Sequence, residues 1–137
     1  MQITEKASLD SRGRLLLPMK IRKYFNLFSQ KEVLLIGDLE EEIIKIYPFT
    51  SWPSKFVLIK IIISDEIGTL SKIIDLLSEI GINFKETRSE TLINGKRAEM
   101  KVIADIKNCP KNEDEIIEML LEKKDLVISV EIRNILD

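Results

Sequence analysis

Seven cations fall in the first 31 residues: Lys6, Arg12, Arg14, Lys20, Arg22, Lys23 and Lys31. Only two acids, Glu5 and Asp10, accompany them, so this segment carries a net +5. The whole chain is −2 at neutral pH, which leaves −7 for residues 32–137. A basic block on an otherwise acidic protein suggests a local surface for anions. Phosphates require cations held on a stable frame, and arginine offers a fork of donors that suits phosphate oxygens and guanine edges. A solvated face would account for the charge equally well, so the spacing of these residues must decide.

A second group with chemical potential is Asp65-Glu66-Ile67-Gly68-Thr69-Leu70, followed by Gly81-Ile82-Asn83. Gly68 permits close approach of a ligand to the backbone, and N–H groups opening a helix favour a carboxylate. Asp65 can accept hydrogen bonds from an ammonium group, and Asn83 offers a donor and an acceptor. The plainer alternative is that Gly68 and Gly81 only shape turns and that Asp65 caps the helix.

Several chemistries are excluded or disfavoured. The 137 residues include no histidine and one cysteine, so no histidine-based triad and no Cys/His zinc cluster can form. No acidic spacing resembles a calcium loop. We therefore expect no catalytic residue, no metal and no cofactor: the chain reads as a non-enzyme. Cys109, beside Pro110 in a loop, has no histidine to activate it and cannot form an intrachain disulfide, which fits a reducing cytoplasm. The longest apolar run, Phe56 to Ile63, is broken by Lys60 and falls short of the roughly 20 residues a membrane span needs. Met1 to Lys6 lacks the apolar stretch of a signal peptide. A cytoplasmic location without membrane contact is expected.

The elements that position these residues divide in two. Pro48-Phe49-Thr50-Ser51-Trp52-Pro53-Ser54 reads as a linker, because its two prolines disfavour a regular element. The expected domains are 1–48 and 56–137, joined by residues 49–55. In the first, Ser8 to Leu17 surrounds a tight turn at Arg12-Gly13-Arg14. Pro18 suits the first turn of a short helix on which Ile21, Tyr24 and Phe25 share a buried face. That places Lys23 almost opposite the buried side and Lys20 and Arg22 on its flanks. Glu32 to Ile36 and Glu42 to Tyr47 flank Gly37-Asp38-Leu39 as a hairpin. So small a piece needs a partner to complete its core.

In the second, Phe56 to Ile63 predicts a strand. Leu70, Ile73, Ile74, Leu77 and Ile80 recur at helical spacing, with Gly81 as the terminating residue. Strands over 83–92 and 97–106 flank Asn94-Gly95, a strong hairpin signal. Asn112 with Glu115 resembles a capping box before Ile116, Ile117, Leu120 and Leu121. Leu126 to Ile132 is a final strand. The order βαββαβ is a split βαβ of ferredoxin-like type, so the fold class is a mostly-β N-terminal domain plus an α+β C-terminal domain.

Leu9-Asp10-Ser11-Arg12-Gly13-Arg14-Leu15-Leu16-Leu17-Pro18, continuing through Arg22-Lys23, resembles the AbrB/SpoVT swapped-hairpin family. Its pattern is Asp-x-x-Gly-Arg, three apolar residues, Pro, then a short helix containing Arg. The resemblance covers residues 7–48. It implies a dimer of interleaved hairpins that binds double-stranded DNA, with Arg14, Arg22 and Lys23 at the contacting positions. The family often has a basic residue just before the first Asp. Here those positions are Ala7 and Ser8, for which Lys6 and Arg12 would compensate. Lys20 completes the set. A structural alternative pairs Arg14 with Asp10 inside the turn.

Residues 56–137 resemble an ACT domain through the two glycine-containing loops. That resemblance implies pairing of two such domains and an amino acid held between them, at Asp65, Ile67, Gly68, Thr69, Leu70, Gly81, Ile82 and Asn83. Together the two resemblances imply a transcription regulator modulated by an amino-acid effector, as a homodimer or homotetramer. The alternatives are an antitoxin-like interaction protein and a regulatory subunit of an amino-acid enzyme. DNA binding that falls with salt separates the first reading from the last.

Overall fold

A computed structural model of the chain describes residues 1–48, 55–92 and 95–135. It is a mostly-β α+β protein in two compact units, Met1–Trp52 and Pro53–Asp137. Residues 49–54 of the expected linker lie outside the described residues, as does Asn94 of the hairpin pair. Pro48, read as the start of the linker, instead closes a strand.

In the N-terminal unit, α1 (Met19–Tyr24) precedes a hairpin of β1 (Val33–Asp38) and β2 (Ile43–Pro48). Pro18 stands just before α1, its carbonyl accepting the Arg22 N–H. β1 and β2 pair antiparallel from Val33↔Pro48 to Asp38↔Ile43. The turn lies beyond Gly37, which is inside β1. Asp38 Oδ1 accepts the N–H groups of Glu40 and Glu41 at 3.1 and 3.0 Å, and Glu42 has φ 56°. An aspartate that satisfies the two amides after it organises a loop locally.

The C-terminal unit runs β3 (Phe56–Ser64), α2 (Thr69–Glu79), β4 (Asn83–Thr91), β5 (Arg97–Asp105), α3 (Glu113–Leu121) and β6 (Val127–Asn134). Its sheet has the order β4-β5-β3-β6. β3 is antiparallel to both its neighbours and β4 is antiparallel to β5. β3 and β4 are therefore parallel with β5 inserted between them, which is the expected split βαβ.

Alternation on β3 divides the sheet into two faces. Val57, Ile59, Ile61 and Ile63 are buried in one cluster with Met100, Val102, Ile73, Leu77, Ile116 and Leu120. This is the face that α2 and α3 cover. The apolar spacing of α2 is realised as expected: Ile73 and Leu77 are fully buried, with Leu70, Ile74 and Ile80 packed around them. α3 begins with the capping box: Asn112 Oδ1 accepts the Glu115 N–H at 2.8 Å, and the Asn112 N–H donates to Glu115 Oε1 at 3.2 Å. Buried Asp105 ties the start of β3 to the end of β5, its Oδ1 accepting the N–H groups of Lys55 and Lys107 at 3.0 Å.

α2 ends at Gly81 for two reasons. Its φ is 88°, and an added Cβ would meet the Asn108 carbonyl oxygen at 3.3 Å. The Ile82 N–H donates to the Leu77 carbonyl and the Gly81 N–H to that of Ser78, the paired bonds of a Schellman motif. Gly81→Ala is expected to destabilise the C-terminal unit by more than about 1 kcal/mol in denaturant unfolding, since alanine at positive φ costs more than it gains. Gly37→Ala, in a strand with open space at the Cβ position, should stay within about 0.5 kcal/mol of wild type.

Candidate functional site

The basic segment is built on a three-residue hairpin loop. Leu9 bridges Leu15, the Gly13 N–H donates to the Asp10 carbonyl, and the Asp10 N–H donates to the Arg14 carbonyl. Gly13 takes φ 76°, the left-handed position that this loop type reserves for glycine. Asp10 fastens the loop from inside. Its Oδ1 accepts the Arg12 and Arg14 N–H groups at 2.9 Å, and its Oδ2 accepts the Arg14 Nε–H at 2.7 Å. The Asp10–Arg14 ion pair is thus formed, on an exposed surface.

Arg22 is also anchored: its Nε–H donates to the Leu17 carbonyl at 2.8 Å in half-buried surroundings. In both arginines the bond uses Nε, which leaves the Nη edge of the guanidinium to meet another acceptor. Lys6, Arg12, Lys20 and Lys23 are exposed. The segment therefore combines two arginines, one oriented by the Asp10 carboxylate and one by the Leu17 carbonyl, with exposed cations around them.

The apolar side of α1 differs from expectation. Ile21 is half-buried, but Tyr24 and Phe25 are 59% and 54% exposed. Leu35 and Ile44 are exposed too, at 62% and 76%. By strand register they share one hairpin face with Ile46. Leu27 and Leu34 are the buried apolar side chains among the described residues of this unit. The physical reason is size: a unit this small has too little opposing surface to cover a helix face and a hairpin face.

In the C-terminal unit, the two loops flank opposite ends of α2. Eleven helical residues separate them, which spans about 16 Å at 1.5 Å per residue. One chain therefore does not bring Asp65–Leu70 and Gly81–Asn83 together. Gly68 is the N-cap of α2 with φ 86°, and no side chain caps the helix. Asp65 does not cap it either: its Oδ2 accepts the Thr91 hydroxyl at 3.0 Å, and its N–H donates to the Lys96 carbonyl. The first N–H groups of a helix have no partner within it; in α2 the Thr69 N–H donates back to the Glu66 carbonyl, so the opening turn presents the amides that follow it, beside exposed Ile67 and half-buried Leu70. Thr69 and Ile82 are 2% and 5% exposed. Their side chains belong to the interior, and their N–H groups already donate to the Glu66 and Leu77 carbonyls, so neither offers a side chain or an N–H to a ligand. Asn83 is exposed.

Thr91 was not singled out by sequence reasoning. It stands 26 residues from Asp65, and only the strand register brings it there. A groove of about 290 Å³ lined by Lys72, Asp75, Leu76 and Glu79 of α2 with Lys123 and Leu126 was equally hidden. Its α2 residues occupy the less apolar side of the helix, which in sequence reads as solvated. Among the described residues, no cluster of three potential ligands for a metal ion occurs, and no helix is long and apolar enough to cross a membrane. The chain matches no protein-family model and no curated protein.

The Arg14 bonds, backbone first and side chain second, hold the Asp10 carboxyl below its usual range, with a smaller contribution from the Arg12 N–H. A depressed carboxylate stabilises the loop above the ordinary aspartate pKa of about 3.9, and that stabilisation is lost as pH falls through the lowered value. A carbon-detected NMR titration should find the Asp10 midpoint below the ordinary value. Arg14→Gln should move it back upward.

Proposed function

We propose that this chain is a DNA-binding transcription regulator whose activity is modulated by an amino acid held where two C-terminal units meet. The observation that carries the reading is the basic N-terminal surface. Arg14 and Arg22 are fixed through Nε, while Lys20, Lys23, Arg12 and Lys6 stand exposed around the loop and α1. Cations restrained in this way lose less freedom on meeting phosphate than free side chains do. The resemblance of residues 7–48 to AbrB/SpoVT domains points to double-stranded DNA as the source of the phosphates.

The exposed apolar side chains of the same unit support a dimer. Tyr24, Phe25, Leu35 and Ile44 leave an apolar surface that a second copy would cover, and exposed patches of this kind mark interaction sites. Pairing would double the basic surface, matching the repetition of phosphates along a duplex.

The ligand half rests on the opening turn of α2 and on the resemblance to ACT domains. Gly68 and the α2 amides that follow Thr69 suit a carboxylate. Because the second loop lies at the far end of the same helix, a site that uses both needs a second chain. The proposed effector is therefore shared, in a homodimer or homotetramer.

The test is DNA binding across a salt series. Lys20→Ala and Lys23→Ala should each lower the log–log salt slope by about one unit without loss of fold. Arg22→Ala should add a stability cost of about 1 kcal/mol or more, because it leaves the Leu17 carbonyl without its charged donor. Wild-type affinity that is insensitive to salt would refute DNA binding. For the effector, a thermal-shift screen of the twenty amino acids should give a hit that Gly68→Val abolishes while basal DNA binding persists. No shift with any of them would reduce the C-terminal unit to an assembly module.

A further inference from the structure

The face of the C-terminal sheet turned away from α2 and α3 carries its charges in an unusual order. Strand register places Arg88, Lys101, Lys60 and Glu131 in one row across β4, β5, β3 and β6. The next row is Glu90, Glu99, Ile62 and Ser129. Three cations are thus directly adjacent across strands, and two acids are adjacent beside them. Like charges directly opposite on neighbouring strands destabilise a sheet. A face evolved only to meet water would gain by alternating them. Lys101 relieves part of this repulsion along its own strand, with Nζ 3.4 Å from Glu99 Oε1, and Glu131 faces Lys60 at the end of the first row, but between β4 and β5 like charge still stands opposite like charge in both rows.

We propose that this face pairs with the same face of a second copy, about a two-fold axis lying in the plane of the interface and running along the rows. Such an axis preserves position across the strands and exchanges the two rows. Lys101 of one copy then stands over Glu99 of the other, and Arg88 over Glu90. Lys60 stands over Ile62, whose side chain packs on the lysine's methylene stem while the ammonium reaches outward. Each contact occurs twice, as an isologous interface requires. The apolar content fits a covered face: Leu58, Ile62 and Ile103 share it and are half-buried already in the single chain. A shallow depression of about 100 Å³ bounded by Leu58, Lys60, Glu131 and Arg133 is where the second copy's Ile62 would seat. Face-to-face sheets lie about 10 Å apart, which leaves room for charged side chains to meet end to end.

This pairing does not rest on DNA binding or on an amino-acid site. It is tested by charge reversal on the full chain, with mass read by light scattering. Lys101→Glu places a carboxylate between Lys60 and Arg88, which removes the cross-strand repulsion at the cost of the Glu99 ion pair along the strand, and it sets acid against Glu99 across the interface. The face joins chains that the N-terminal units do not already pair, so the mass should fall by half. Adding Glu99→Lys exchanges both signs in both copies and should restore it. Arg88→Glu, alone and then with Glu90→Arg, repeats the test on edge strand β4, where both side chains are exposed and folding is not at stake. A mass unchanged by either single reversal, or not restored by either exchange, would overturn the proposal and leave the face to solvent.

Discussion

Period-two burial on β3 is the constraint on which the C-terminal unit depends. β3 is paired on both sides, so its pleat is locked and its alternate side chains have no freedom to choose a face. Val57, Ile59, Ile61 and Ile63 enter the core, and Leu58, Lys60 and Ile62 take the other side. A slip of one residue would carry Lys60 into a space filled by isoleucine, where an unpaired ammonium is prohibitively costly. The register with β5 and β6 is therefore set by the interior. The charge rows on the outer face are a consequence of that register: once Ile59 meets Val102 and Ile132, Lys60 must meet Lys101 and Glu131.

The N-terminal unit is organised by a different force. It has two buried apolar side chains among its described residues, so burial contributes little to its shape as a single chain. Local polar bonds supply the definition instead. Asp10 holds three donors, Asp38 holds two amides, and Arg22 holds the Leu17 carbonyl. These bonds act over two to five residues, which is why they form without a surrounding core. Most are exposed to competing water and contribute little individually, and together they fix turns rather than a tertiary fold. The same economy places the arginines: a unit that cannot pack them orients Arg14 by a neighbouring carboxylate and Arg22 by a backbone carbonyl.

Much of this was legible in the sequence. Helical spacing found α2, and the Asn112–Glu115 pair found the start of α3, because both signals act within one turn. Gly81 was legible as a terminator for the same reason. The turn of the β1–β2 hairpin was misread by two residues: Gly37 suggests a turn, but Asp38 captures the following amides and moves it onward. Tyr24 and Phe25 were expected to be buried because periodicity reports which face is apolar, not whether anything covers it. Asp65 could be read as a cap because aspartate often fills that role. Its bond to Thr91 depends on strand register, which no local pattern encodes. Thr69 and Ile82 sit next to exposed ligand-candidate positions in sequence, yet they point inward because a helix start and a strand entry each turn one side chain to the core.

The placement of the two glycine loops also constrains how an effector would act. They lie at opposite ends of α2, so a ligand engaging both must touch two chains. Its binding free energy would then include a share of the association free energy, and affinity would rise with protein concentration. By linkage, the same ligand would tighten the assembly by the factor that assembly tightens the ligand. A ligand resting on one loop alone would have no such reciprocity, because it would bind monomer and oligomer alike and shift neither. Dependence of effector affinity on protein concentration thus separates a shared site from a local one, before the effector's effect on DNA is considered.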